Sequence, residues 1–341
     1  MASLRRPPAA ATGLVLLALA LGASLGACEE IVQYTPGGDG GQDGGDGGDG
    51  GGGGGDGGSD AGVPPCTSLD AGCVRVRVVA ANLSSGNFFN YDGGEGARIL
   101  QGLRPDIILI QEWRVGSGSP GELRAFVDQV CGAGCSYFRE PLAGDTGSLI
   151  PNGIISRYPI LDAGEWADVA VPDRDFVWAV MDVPGPRHLF ALSLHLYSSG
   201  GPTGRDGEGA VLVTNLATAV PPGALLLVGG DLNTDTRSEP LISTLSQVVV
   251  TTGPYPADQA GNENTNQPRN KPYDWLLPDQ ELLASEIPLL IGQNAFPNGL
   301  VLDTRSYTPL TDLSPALASD SDAGGMQHMA VAKDYGLPAG P

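Results

Sequence analysis

The sequence predicts an α/β protein of stacked sheets covered by helices, and three observations predict it. Beyond Pro65 the chain is made of short apolar runs separated by turn signals. Strand-like runs outnumber amphipathic segments, and several are apolar on both faces, as strands inside a sandwich are. With 41% of 341 residues apolar, there is material for a substantial core.

The elements follow in order. CVRVRVVAANL (73–83) alternates and then turns apolar, the pattern of a strand running into a covered sheet. GARILQGLRP (96–105) suits a helix stopped by its proline, and DIILIQEW (106–113) a buried strand ending in polar residues. PGELRAFVDQV (120–130) places proline at the start of a helix, where its missing N–H is no loss. Strands are expected in SLIPNGIISRYPI (148–160), DRDFVWAVMDV (173–183) and RHLFALSLHLY (187–197). A helix over about 207–219 precedes ALLLVGGDLN (224–233), and the last strands lie in KPYDWLLP (271–278) and HMAVAKDY (328–335).

What precedes Pro65 is not fold. MASLRRPPAA, GLVLLALAL and the small residues after them have the layout of a secretory signal, too short and too soon interrupted for a membrane span. Its end, LGAC, resembles the bacterial lipobox, so residues 1–28 are expected to be a lipoprotein-type signal and Cys28 the lipidated residue. The chain is then an exported lipoprotein, held by its anchor on the periplasmic or outer face of a membrane. Residues 29–65 are rich in Gly and Asp with almost nothing that packs, so they read as a disordered tether, and 66–341 as the folded domain. The Gly/Asp run within the tether, roughly 27 residues, reaches about 30 Å as a random coil.

Five cysteines are an odd number for an exported chain. With Cys28 lipidated, Cys66, Cys73, Cys131 and Cys135 remain; three connectivities are possible, and the local pairs 66–73 and 131–135 are the simplest. The spacings are too irregular to favour a zinc site. Residues 64–341 carry 16 basic and 31 acidic residues, a net charge of −15. That balance argues against a dedicated nucleic-acid-binding module. A nuclease stays open, because a bound divalent cation can supply positive charge where the chemistry occurs.

The informative feature is where polar residues fall. Asn82, Glu112, His195, and Asp231 with Asn233 stand at the ends of four apolar strands, Asp274 lies within PYDWLL, and His328 opens the last strand. Each alone has an ordinary reading as a turn former or a satisfied core group. Six such positions together point to convergence on one rim of a sheet.

In this order the segments VVAANL, LIQEW, NGIISRYPI, LSLHL, GGDLN, PYDWLL and QHMAV resemble the endonuclease/exonuclease/phosphatase family over roughly residues 74–336. The resemblance implies a four-layer α/β sandwich, two mixed sheets face to face with helices outside. It implies hydrolysis of a phosphate ester with Mg²⁺, or with Mn²⁺ or Ca²⁺ in its place; the chain is separately expected to be a monomer. Asn82 and Glu112 would hold the cation. Asp231 and Asn233 would hold the attacking water, while His328, paired with Asp274, and His195 would flank the phosphate. Asn152 either lines the substrate site or makes a turn. Arg157 and Arg269 are weaker phosphate-binding candidates, His188 is expected to be structural or exposed, and Trp113 and Trp166 to pack.

Gln327 departs from the pattern, since an aspartate normally precedes the terminal histidine. A glutamine keeps a carbonyl but loses the charge a hard cation prefers. Asp320 or Asp322, upstream in SDSDAGG, are candidates to swing in instead. Substrate candidates are a nucleic acid or other phosphodiester, a sphingomyelin-type lipid or a small phosphoester. The different class of reading is a surface binding module that has kept the fold and weakened its catalysis.

Overall fold

A computed structural model describes residues 66, 72–84, 90–141 and 149–339. The expected signal segment with Cys28 and the tether over 29–65 lie outside the described residues. In chain order the first elements are β1 (Cys73–Ala81), α1 (Glu95–Leu103), β2 (Ile107–Ile110), α2 (Pro120–Val130), β3 (Ser136–Arg139) and β4 (Gly153–Ser156). Next come β5 (Ile160–Trp166), β6 (Phe176–Met181), β7 (Leu189–His195), α3 (Gly201–Ala219), β8 (Leu225–Asp231) and α4 (Pro240–Leu245). The chain ends with β9 (Asp274–Pro278), α5 (Gln280–Leu283), β10 (Glu286–Ile287), β11 (Leu289–Ile291), β12 (Asn294–Phe296), β13 (Leu300–Leu302) and β14 (Ala330–Pro338).

Two mixed sheets result. One has seven strands in the order β10, β14, β1, β2, β4, β3, with β13 also paired to β14. The other has five, in the order β5, β6, β7, β8, β9, and β11 with β12 forms a separate hairpin. Within these sheets β1 runs parallel to β2 and β7 to β8, while the remaining pairs are antiparallel.

Side-chain alternation along the strands builds the layers. From β1 and β2, Val78, Ala80, Ile107 and Leu109 point between the sheets, where they meet Val177, Ala179, Leu227 and Leu276. Their neighbours Val79, Ala81, Ile108 and Ile110 face the other way, onto Ile99 and Leu100 of α1 and Phe126 and Val127 of α2. On the far side Phe190, Leu192 and Val228 pack under Leu212, Leu216, Leu241 and Leu245 of α3 and α4. Strands covered on both faces must be apolar at successive positions, which is why their sequences read as continuous runs. The architecture is the expected four-layer α/β sandwich.

Several local expectations change. SLIPNGIISRYPI is two strands: β4 belongs to the seven-stranded sheet and β5 to the five-stranded one, and the chain crosses between sheets over 157–159. The third helix starts at Gly201, six residues before the expected 207, with Pro202 in its first turn. Among the described helices only α2 carries a full capping box, in which the Ser119 hydroxyl accepts the Glu122 N–H and Glu122 accepts the Ser119 N–H. Disulfides join Cys66 to Cys73 and Cys131 to Cys135, the local pairs.

Candidate active site

The sheet register brings the predicted residues together. His195 at the end of β7 lies beside Asp231 at the end of parallel β8, and Asp231 lies opposite Asp274 at the start of antiparallel β9. Three strands thus present three polar residues in one row. Asn82 and Glu112 follow the ends of adjacent parallel β1 and β2, and His328 stands just before β14, which pairs with β1. All six are buried.

They form one hydrogen-bonded cluster. Asn82 Nδ2 donates to Glu112 Oε1 at 3.1 Å and to Asp231 Oδ2 at 3.0 Å, and lies 3.3 Å from His328 Nε2. Asp231 Oδ2 is 3.3 Å from His195 Nε2 and 3.4 Å from His328 Nε2. His328 Nδ1 is 3.0 Å from Asp274 Oδ2. Asp231, Asp274 and His328 place their ligand atoms within 4.8 Å of one another.

Asn233 occupies the left-handed region at φ 51°, which asparagine tolerates. Its backbone N–H donates to Asp231 Oδ1 at 2.8 Å and its side-chain amide to the Leu196 carbonyl at 2.9 Å. The glycines before Asp231 are required by the space: at Gly230, with φ 127°, an added Cβ would lie 2.2 Å from the Leu194 carbonyl.

Burial sets the charges. Desolvation raises Glu112 and Asp274 above the ordinary carboxylate range and lifts Asp231 to about 6. Desolvation also depresses His195 well below the ordinary imidazole value, helped by the positive charges of Arg174 and His328. For His328 burial works in the same direction, but Asp274, Asp231 and Glu112 overcome it and hold the ring at about 10. At neutral pH the site therefore pairs a neutral His195 with an imidazolium at His328.

The other predicted residues have no hydrogen bond or ion pair to these six among the described residues. Asn152 is buried, but its contacts are to Glu140, through its backbone N–H, and to the Asp175 carbonyl, 2.7 Å from Nδ2. Arg157 reaches Asp106 at 3.1 Å, and Arg269 is held by Asp258 at 2.9 Å and Asp303 at 3.1 Å. His188 is exposed, while Trp113 is buried and Trp166 packs on Trp178 and Phe190.

The Gln327 side chain is exposed, and the residue is tied down through its backbone carbonyl, which accepts the Gln267 N–H at 2.8 Å. Neither upstream aspartate takes its place. Asp320 is fully buried in an ion pair with Arg98 at 2.6 Å, and Asp322 points to Gln267 and Arg305. The expectation that one of them swings into the site fails for that reason.

Three residues of the site escaped sequence reasoning. Ser84 donates to Glu112 Oε2 at 2.6 Å. The Tyr91 hydroxyl sits between the ends of β1 and β2, accepting the Leu83 N–H and lying 3.0 Å from the Ala81 carbonyl and 3.1 Å from that of Gln111, so it fixes the backbone on either side of Asn82 and before Glu112. Arg174, buried in the turn before β6, donates Nε to the His195 carbonyl at 2.7 Å and Nη2 to the Leu196 carbonyl at 3.2 Å. The Leu196 carbonyl is the one that Asn233 also holds, so Arg174 clamps both sides of the β7 end. A tyrosine and an arginine inside polar turns carry no periodic signal; the DRD triplet flanking a strand start is the only hint.

No curated protein matches this chain. Among solved structures, it is similar to the endonuclease/exonuclease/phosphatase from Bacteroides vulgatus, at 14% identity and a TM-score of 0.52 over 76% of this chain and 98% of that one. It is also similar to a functionally unknown conserved protein from Enterococcus faecalis V583, at 12% identity and a TM-score of 0.51 over 76% and 98% of the two chains. At such identities the likeness speaks for the fold alone. The sequence profile of the endonuclease/exonuclease/phosphatase family matches residues 82–306, well over half of the chain, from Asn82 through Asp274, and the chain belongs to that family.

Proposed function

We propose that this protein is an exported, lipid-anchored phosphoester hydrolase that works with a divalent cation and cleaves phosphodiesters. The observation that carries the reading is the closing of Asn82, Glu112, His195, Asp231, Asp274 and His328 into one buried, hydrogen-bonded cluster. Endonuclease, exonuclease and phosphatase chemistry all hydrolyse phosphate esters, so the family supports the reaction class. The lipobox, the tether and the paired cysteines support export and anchoring.

The donor set suits a hard cation. Glu112 brings carboxylate oxygens, and Asn82 Oδ1 is a buried carbonyl without a partner among the described residues. A bound Mg²⁺, or Mn²⁺ or Ca²⁺ in its place, would be held by these two and would offset charge on the phosphoryl oxygens and leaving group. The chain's own residues supply the rest. Asp231 orients the attacking water and takes its proton, with Asn233 fixing the turn that aims the carboxylate. His328 keeps its proton through Asp274 and offers Nε2–H to a phosphoryl oxygen. His195, neutral, faces the same carboxylate from the other side and exchanges a proton through Nε2.

A second reading concerns substrate size. Arg157 and Arg269 are committed to carboxylates, and the domain's charge is −15, which favours a small phosphoester over a polynucleotide. A panel of plasmid DNA, RNA, a phosphodiester reporter, sphingomyelin and inositol phosphates with Mg²⁺, Mn²⁺ or Ca²⁺ separates the readings, with His195→Ala as control. Cleavage of one substrate that the variant lacks is the expected result, and silence across the panel overturns the enzyme reading in favour of a binding module.

A further inference from the structure

The side chains that point between the sheets change character as the strands approach the cluster. Ile107 and Leu109 of β2 and Leu189 and Ala191 of β7 belong to the apolar layer there. Two residues further on, the same alternation puts Gln111 and Ser193 on that inward side, and both are fully buried. Gln111 Nε2 donates to Ser193 Oγ at 2.9 Å, and Ser193 Oγ donates to the Ile110 carbonyl at 3.2 Å. A polar pair therefore joins the two sheets, one residue before Glu112 and two before His195.

The pair costs more than an apolar one would. Gln111 Oε1 is buried with no hydrogen-bond partner among the described residues, a penalty that an apolar side chain of the same length avoids. The opposite sheet makes room for the amide, since a Cβ at Gly230 would lie 2.7 Å from Gln111 Nε2. The backbone of Gln111 is held as well, its N–H donating to the Ala81 carbonyl at 3.2 Å and its carbonyl lying 3.1 Å from the Tyr91 hydroxyl. Glu112 then turns at φ 52°, a left-handed conformation unfavourable for a glutamate, so the aim of its carboxylate follows from how Gln111 is held.

The site needs such a joint. Asn82, Glu112 and His328 flank strands of the seven-stranded sheet, while His195, Asp231 and Asp274 lie on the five-stranded one. Apolar burial between sheets is non-directional and does not by itself fix how one half sits against the other. Bonds within the cluster, Asn82 to Asp231 and His328 to Asp274, also cross between the sheets, but they use the groups that substrate and cation would engage. Gln111 and Ser193 are shielded from both. We propose that Gln111 is a positioning residue, which through Ser193 locks the half-site of Asn82 and Glu112 against the half-site of His195 and Asp231. The effect on rate rests on the hydrolase reading; the placement of the two halves does not.

The test compares the full chain with Gln111→Met, with Ser193→Ala and with the double variant. Gln111→Met keeps the length and leaves Ser193 bonded to the Ile110 carbonyl, so its melting temperature should stay parental. Its kcat on a phosphodiester should nevertheless fall at least about tenfold, with KM within about twofold. Ser193→Ala breaks the same bond from the other side and should also lower kcat, and the double variant should be no slower than the worse single one. The readout free of turnover is the ¹H–¹⁵N spectrum of the histidine rings: the His195 and His328 signals should move in both single variants, while that of His188, exposed beside Asp182, stays in place. Parental kcat in a folded variant, unmoved His195 and His328 signals, or losses that multiply in the double variant would each overturn the proposal. Loss of the fold in both single variants assigns the pair to stability and overturns it too. If the parent hydrolyses nothing, the hydrolase reading fails and the ring signals alone decide on Gln111.

Discussion

His195 and His328 lie 3.3 and 3.4 Å from the same carboxylate oxygen of Asp231, yet their environments push them apart: one loses its proton to burial, the other keeps it through three carboxylates. Opposed titration of neighbouring groups is how a site divides acid and base work. It also makes stability depend on pH. His328 holds its proton up to about 10 when folded, against an unfolded value near 6.5, so its contribution is full below about 6.5 and is lost as pH rises through about 10. Thermal unfolding of chelator-treated protein should show a melting temperature falling over that alkaline range, and His328→Gln should flatten the fall; an unchanged slope would refute the pairing. Arg174 is a positioning residue, since it touches the backbone on which His195 and Asn233 depend. Arg174→Met should lower kcat by about tenfold or more with little change in KM, and Arg174→Lys should restore part of it, while circular dichroism stays parental. A parallel rise in KM alone would assign Arg174 to substrate binding. The six cluster residues were legible because each follows or opens an apolar run. Arg174, Tyr91 and Ser84 were not, since their roles depend on contacts across the fold.

At the scale of elements, the site is a consequence of strand ends. His195, Asp231 and Asp274 share a row only because β7, β8 and β9 are in register, and Gly230 lets that register close against Leu194. Gly230→Ala should therefore cost about 2 kcal/mol or more, through both its positive φ and the contact with the Leu194 carbonyl. Chemical denaturation checks it, and an unchanged midpoint would show that the turn relaxes freely. Long buried strands such as β1, β7 and β8 could be read from sequence. The division of SLIPNGIISRYPI could not, because two strands joined by a three-residue crossing leave the same apolar run as one. The short strands β3 and β10 to β13 lack enough residues to show a period. The pairing of β3, β10 and β13 is set by the sheet strands they join, and among the described strands β11 pairs only with β12 in their own hairpin.

For the whole molecule, sequence gave the stacking of sheets through runs apolar on both faces, and the three cores confirm why: each sheet is covered on both sides. Gln327 also finds its meaning at this scale. With that side chain exposed and Asp320 ion-paired, the proposed metal site rests on Asn82 and Glu112, so Gln327→Asp should shift the Mg²⁺ midpoint of activity by less than about twofold. A larger gain in apparent affinity would restore position 327 to the metal site. In the proposed function the buried cluster hydrolyses phosphate esters with a divalent cation. Its most direct test is phosphodiester hydrolysis by chelator-treated full chain on return of Mg²⁺, in the parent and in His195→Ala. Activity should return with the cation and be at least about 100-fold lower in the variant. Equal rates in the two proteins, or hydrolysis untouched by chelation, would contradict it.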